Sequence, residues 1–229
     1  MKYLRAFFYF LITLAIYQGI PLLGWGIAWI PSYFESAGRL MTAIIVLLFS
    51  LAVGALSIHR PESVQERKGP RKAVISKANT IGLMVIVFLA LLMLFLPLAC
   101  RRNLFKLPDL ALFDVLGLFF VAAGYLLIFL SSLYLGKSYS AKVEIQEGQK
   151  LVTAGLYKFI RHPRYAGIIM LAFGYSLVFG SWIGLLCSIL PAILLNEGIA
   201  FEERMMRAEF GQEWEKYAST TKRLIPFLY

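Results

Sequence analysis

Histidine and cysteine each occur only twice in this chain of 229 residues. His59 and His162 cannot supply a histidine-rich metal site, and Cys100 and Cys187 show neither CxxC spacing nor any metal-ligand pattern. Both cysteines fall toward the same end of the predicted spans, so a disulfide is geometrically conceivable, although lone cysteines are ordinary apolar filler. There is no GxGxxG after a strand, no Walker loop, no HExxH and no GxSxG. The usual signatures of soluble nucleotide-binding, zinc-dependent and serine-hydrolase enzymes are therefore missing. Repeats of fixed period and low-complexity tracts are absent as well.

Charge is scarce, at 16% of residues, and apolar residues make up 59% with a mean hydropathy of +0.72. Soluble domains are closer to half apolar and a quarter charged, so the composition indicates an integral membrane protein. Long apolar runs recur at about residues 6–30, 40–58, 80–99, 111–135, 165–180 and 182–201. Each is near the roughly 20 residues that cross a bilayer as helix. The runs lack the two-residue alternation of barrel strands, which predicts an all-α, polytopic transmembrane helical bundle of about six spans. The last two runs are short and separated only by "GSW" at 180–182, which predicts a tight antiparallel helical hairpin. Lys2 and Arg5 precede the first run, yet it passes 20 residues without a small-x-small cleavage site. It is expected to be a retained helix, broken near Gly19, Pro21 and Gly24.

Basic residues exceed acidic ones by 23 to 13, giving a net charge of +10. Nineteen of the 23 fall on one side of the six spans, and Arg39, Arg101, Arg102 and Lys106 fall on the other. Positive charge favours the cytoplasm, so both termini are expected there. Basic residues placed at helix ends point to anionic membrane lipids as partners rather than to nucleic acid. Residues 1–110 then read as an N-terminal transmembrane scaffold, and residues 111–229 as a core that ends in a cytoplasmic region. The basic loop at 59–79 is expected to lie solvated against headgroups.

Polar information is concentrated after residue 136. The loop "GKSYSAKVEIQEGQKLVTAGLYKFIRHPRY" is longer than an ordinary connection, and long ordered loops tend to be functional. Within it, "AKVEIQEGQKLV" alternates in part, hinting at a short extended segment. Pro163 suits the first turn of a helix and pushes His162 out of helical geometry at its entrance. Unpaired amides there, with Arg161 beside them, would suit a carboxylate or phosphate. Alternatively Lys158, Arg161 and Arg164 anchor a helix end at the interface, with Tyr157 and Tyr165 as its aromatic belt. A second cluster lies on the helix leaving the membrane, where Asn196, Glu203 and Phe210 line one face, Arg207 follows one turn on and Glu202 lies on the adjacent face. Its carboxylates either face a cavity, where they would suit a cationic amino group, or form an Arg–Glu lattice on a solvated helix end. Together the clusters offer an anion holder and a cation holder, as a zwitterionic amino-acid moiety would require.

"GKSYSAKVEIQEGQKLVTAGLYKFIRHPRYAG" resembles the core motif of the integral-membrane methyltransferases typified by isoprenylcysteine carboxyl methyltransferase and the phospholipid methyltransferases. "EERMMRAEFGQEWEKYASTTKRLIP" resembles that family's closing motif, and the two cover roughly residues 130–228. The resemblance implies an S-adenosyl-L-methionine site at the cytoplasmic face. His162, Pro163 and Tyr165 would shape the pocket with Gly155, Tyr157 and Arg161. Glu202 and Glu203 would meet the amino group and ribose region, and Tyr217 and Arg223 would fold back as a lid. A lipid or prenylated acceptor would approach sideways from the bilayer.

The chain departs from the family in having Leu156 where a proline is common, and Gly198 where the carboxyl methyltransferases carry an arginine that would orient an acceptor carboxylate. Asn196 and Glu197 nearby suit a different acceptor group. Methyl transfer mainly requires donor and acceptor to be aligned at near-contact distance. A carboxylate acceptor needs no base, whereas an amine must first lose a proton, for which Glu197, Glu203 or His162 are the candidates. Two further readings compete: an NADPH-dependent membrane reductase of the sterol reductase type, and a non-catalytic membrane protein. Paired broken helices carrying midplane charges, the mark of many transporters, are absent from the sequence.

Overall fold

The computed structural model describes residues 2–59, 77–136 and 151–225. The loop at 60–76, most of the expected extended segment at 141–152 and the final residues 226–229 lie outside the described residues. The chain begins with α1 (Lys2–Leu14), a π-helical turn (Ala15–Gly19) and α2 (Ile20–Trp25), followed by the short α3 (Ile30–Tyr33). Next come α4 (Ala37–His59), α5 (Lys77–Arg101) and α6 (Ala111–Leu135). The remainder is α7 (Pro163–Val178), α8 (Trp182–Cys187), α9 (Ile189–Phe210) and α10 (Gln212–Thr220).

Among the described residues, five stretches are long and apolar enough to cross a membrane: Lys2–Trp25, Ala37–Ile58, Asn79–Arg101, Ala111–Leu135 and Trp182–Phe210. The polytopic helical bundle expected from composition is the observed architecture. At 1.5 Å per residue, the 25 residues of α6 extend about 37 Å, enough for a hydrocarbon core of about 30 Å. The fifth of the six expected spans, at 165–180, is α7, which has only 16 residues and so extends about 24 Å. Large apolar side chains such as Leu83, Ile86, Leu91, Val115, Phe119 and Leu126 point outward, which only a lipid surround makes favourable.

The first segment is not broken at Gly19, Pro21 and Gly24. Pro21 is interior to the helix that runs on through the π turn to Trp25, so its missing N–H frees a carbonyl one turn back, and the Tyr17 carbonyl accepts from the Tyr175 hydroxyl at 3.4 Å. The break comes at Gly26, whose φ of 104° admits the sharp exit. The expected turn at 180–182 is present. Ser181 accepts a hydrogen bond from the Gly184 amide at 3.2 Å, and Leu107 and Trp182 amides tie the turn to the preceding loop. Beyond the turn the hairpin opens: α9 packs chiefly on α5, and α7 packs chiefly on α6.

Glycines explain the closeness of α6 and α7. Gly117 and Gly124 on α6 face Gly174 and Gly167 on α7, each pair seven residues apart on one helical face. A Cβ on Gly124 would come 2.8 Å from the Gly167 carbonyl oxygen, and one on Gly174 would come 3.0 Å from that of Gly117. Small residues at such crossings let backbones approach where lipid offers no hydrophobic driving force. The core beside this seam contains Val121, Tyr125, Leu171, Tyr175 and Phe179. Cys100 and Cys187 are both free thiols packed against that core.

Candidate functional site

The site forms where the segment before α7 meets the end of α9 and the arm that follows it. Gly155 opens the segment with a φ of 61°, and a Cβ there would meet the Tyr134 ring at 2.3 Å. Both facts require glycine, because the ring of α6 fills the space a side chain would use. A 3-10 turn at Gly155–Lys158 then buries Tyr157. Residues 159–162 run beside the arm: Lys222 N–H donates to the Phe159 carbonyl at 3.1 Å, Arg161 N–H to the Lys222 carbonyl at 2.7 Å and His162 N–H to the Arg223 carbonyl at 3.0 Å. His162, with φ −124° and ψ 57°, stands just before Pro163 opens α7, as its place before a proline predicts.

The α9 helix runs past the expected limit at residue 201 and brings Glu202 and Glu203 against this segment. Glu203 is buried and carries two guanidinium partners. Arg161 Nε donates to its Oε1 at 2.8 Å, and Arg223 donates to its Oε2 from Nε at 3.1 Å and Nη2 at 2.9 Å. Arg161 Nη1 also donates to the Ala218 carbonyl at 3.0 Å and to the carbonyl and hydroxyl oxygens of Thr221. One arginine thus joins three separate segments.

The neighbouring pair is less well satisfied. The His162 ring is 5% exposed, with Nε2 3.4 Å from Glu203 Oε1 and Nδ1 3.6 Å from Glu202 Oε2. Neither separation comes with hydrogen-bond geometry, so among the described residues His162 Nε2 and Glu202 Oε2 are buried without a hydrogen-bond partner. Buried polar atoms are otherwise nearly always paired, so these two mark capacity for a guest. Tyr165 stacks on the His162 ring at 5.6 Å between centroids and fixes its plane.

The arm closes the site from the other side. Gly211, with φ 51°, ends α9 and lets α10 turn back. Trp214, Tyr217 and Thr221 lie on one face of the arm and are buried. Tyr217 donates its hydroxyl proton to the Tyr157 carbonyl at 2.9 Å. Burial pushes both phenols above their ordinary pKa, so each stays protonated across the neutral range.

The structure therefore brings together Gly155, Tyr157, Arg161, His162, Pro163, Tyr165, Glu202, Glu203, Tyr217 and Arg223. Asn196 is half-buried on α9, and Glu197 is on that helix's exposed face. Arg207 pairs with Glu215 on the arm rather than with Glu203. A Cβ on Gly198 would meet only Ile81 at 3.5 Å, an ordinary contact, so a side chain at that position faces α5 without a backbone obstacle. Thr221, Trp214 and Tyr134 were not singled out by the sequence; two buried aromatics three residues apart on a polar helix were the available signal for Trp214.

A bundle of membrane-crossing helices with a polar site at the end of its last pair defines a class of protein, the integral-membrane bundles that hold their chemistry at one surface. Residues 112–213 match the model of the phospholipid methyltransferase family, which supports the resemblance carried by the two motifs. The chain is 29% identical over 122 residues to a probable protein-S-isoprenylcysteine O-methyltransferase of Oryza sativa subsp. indica, covering 49% of this chain and 60% of the relative. It is 32% identical over 90 residues to a Delta(14)-sterol reductase of Schizosaccharomyces pombe, covering 38% of this chain and 21% of the reductase. It is also 36% identical over 72 residues to methanethiol S-methyltransferase 1 of Bradyrhizobium diazoefficiens, covering 31% and 25% respectively.

Proposed function

We infer that the protein is a membrane methyltransferase that uses S-adenosyl-L-methionine and modifies a lipid or lipidated acceptor. The observation that carries this reading is the buried, unpartnered pair of His162 Nε2 and Glu202 Oε2 within the segment matched to the family. A hydrogen-bond donor on a small zwitterion satisfies the carboxylate oxygen, and the imidazole nitrogen meets a complementary polar atom. The donor set fits the group in this respect. When bound, S-adenosyl-L-methionine supplies an electrophilic methyl carbon on a sulfonium, and the acceptor's electron pair forms the new bond as the methyl–sulfur electrons return to sulfur.

The chain's own residues position and enclose. The site-forming core is residues 111–229, on the scaffold of residues 1–110. Gly155, Tyr157, Pro163 and Tyr165 shape the walls, Arg161, Glu203 and Arg223 hold the arm across the site, and Tyr217 pins it to the 155–158 turn. Closing the site expels water and strengthens its electrostatics. Asn196 and Glu197 lie one to two turns of α9 before Glu203, where an acceptor enters from the bilayer. For an amine acceptor, Glu197 or His162 takes the proton, since both oxygens of Glu203 already accept from arginines; for a carboxylate or thiolate none is needed. Basic residues at the site end face the cytoplasm and meet anionic lipids, with both termini on that side.

The sterol reductase match supports a second reading, in which the same end of the bundle holds NADPH. Calorimetric titration separates the two. S-adenosylhomocysteine is expected to bind and NADPH is not; heat from NADPH alone would exclude the methyltransferase. Mass spectrometry of lipids and prenylated peptides after incubation with methyl-labelled cofactor then identifies the acceptor.

A further inference from the structure

We propose that the joint closing the site, residues 158–162 paired with 222–225, is also a docking surface for an anionic lipid bilayer, so that the membrane surface itself holds the C-terminal arm in place. The proposal gives residues to the lipid contact named above. It stands without the methyltransferase reading, because no cofactor enters it.

The outward side of the joint has a composition that the site does not use. Phe159 is 56% exposed and Ile225 is 51% exposed. Lys158 and Lys222 are exposed beside them, and among the described residues neither ammonium is paired with a carboxylate. Large apolar side chains standing in water between unpaired lysines are unfavourable. At the edge of a bilayer the same set places its apolar groups at the acyl boundary and its ammonium groups against lipid phosphates. Continuity with the bundle puts it there, because α7 begins directly after His162. Acidic side chains keep off this side: the exposed Glu209 and Glu213 lie at the end of α9 and on α10.

The inward side of the same backbone is what closes the site. Ile160 and Thr221 are buried, the Lys222 amide donates to the Phe159 carbonyl, and the Arg161 amide donates to the Lys222 carbonyl. Phe159 and Lys222 therefore carry the joint on their backbones and the docking surface on their side chains. Parting the two segments would scatter that surface. A bilayer that binds the assembled surface better than the scattered one shifts the arm toward its closed position by that difference in affinity. Each lysine held near an anionic surface contributes roughly fivefold to such an affinity, and salt screens the effect.

The experiment places the full-length protein, without cofactor, in nanodiscs holding one copy each. One set is phosphatidylcholine alone, and in the other about one-third of the lipid is phosphatidylglycerol. Amide hydrogen exchange at Arg161, His162 and Lys222 should be at least fivefold slower in the anionic discs, and added salt should shrink the difference. The double variant Lys158→Gln with Lys222→Gln should erase the difference and exchange like wild type in phosphatidylcholine, since neither ammonium has a partner in the protein. Phe159→Ser should speed exchange in both sets. Equal exchange of the wild type in the two sets overturns the proposal, as does a lipid effect that survives in the double lysine variant. Protection that appears only when two copies share a disc would assign the surface to a second copy and would equally overturn it. Wild-type exchange of Phe159→Ser in both sets overturns the apolar part of the surface.

Discussion

Half-buried arginines sit at both ends of this bundle, and they are held in different ways. At the end carrying the loop between α5 and α6, Arg39 donates to the Tyr33 carbonyl at 2.7 Å and the Ser32 carbonyl at 3.2 Å. Its guanidinium lies 4.5 Å from the Trp25 ring centroid, a cation–π contact. These partners belong to the chain just before α4, and a weaker contact from Nη1 reaches the Cys100 sulfur of α5 at 4.0 Å. At the other end Arg161 and Arg223 converge on Glu203, which comes from a helix 42 and 20 residues away in sequence. The first arrangement is a local anchor at a membrane surface. The second is a lock between distant segments, and its integrity depends on the arm lying across the site.

The comparison is broken most severely by Glu203→Ala. Arg161 would remain buried without its counter-charge, and removal of one partner from a buried ion pair costs about 3–5 kcal/mol. Thermal unfolding in detergent should show this loss together with loss of S-adenosylhomocysteine binding. Arg39→Ala should cost less, about 2–3 kcal/mol, since it removes charge-assisted bonds and leaves only backbone carbonyls to be resolvated. Its binding isotherm should match the wild type; weakened binding would show that the two ends are coupled.

The spans were legible because lipid forces their composition: α4, α5 and α6 fall close to the apolar runs at 40–58, 80–99 and 111–135. The turn at 180–182 and the placement of His162 were legible because a glycine and a proline constrain the backbone directly. The length of α9 was not, since the expected limit followed hydropathy, whereas the helix continues through Glu202 and Glu203, the latter held by Arg161 and Arg223. The pairing of Glu203 with Arg161 was likewise hidden, because it depends on the arm folding back. Spacing along α9 suggested Arg207 as the companion of Glu203, but Arg207 turns to Glu215 on the arm. Local pattern reports the face a residue occupies; it does not report which distant segment covers that face.

Gly124→Ala tests the seam between the two ends. The added methyl would meet the Gly167 carbonyl at 2.8 Å and Leu171 at 2.9 Å, and a backbone oxygen cannot swing aside. Overpacking of this kind costs roughly 1–3 kcal/mol, and roughly 1.5 is expected here because a small helix shift relieves part of it. Because α7 carries His162 at its start, the shift should also weaken ligand binding, which Arg39→Ala does not do.

The smallest effect is expected from Tyr217→Phe. It removes the donor to the Tyr157 carbonyl and keeps the ring that packs beside Trp214 at 5.6 Å. The loss should be about 1 kcal/mol, one neutral hydrogen bond. Its pH dependence follows from burial, which raises the Tyr217 phenol above its ordinary value. A group raised on folding stabilises fully below its unfolded pKa, about 10 for tyrosine, and that contribution disappears as pH climbs toward the folded value. The difference in unfolding temperature between wild type and Tyr217→Phe should therefore be constant from about pH 6 to 9 and shrink above about pH 10. A difference that already shrinks between pH 6 and 9 would mean the phenol is not sealed under the arm, and the contrast with the Arg39 end would lose its basis.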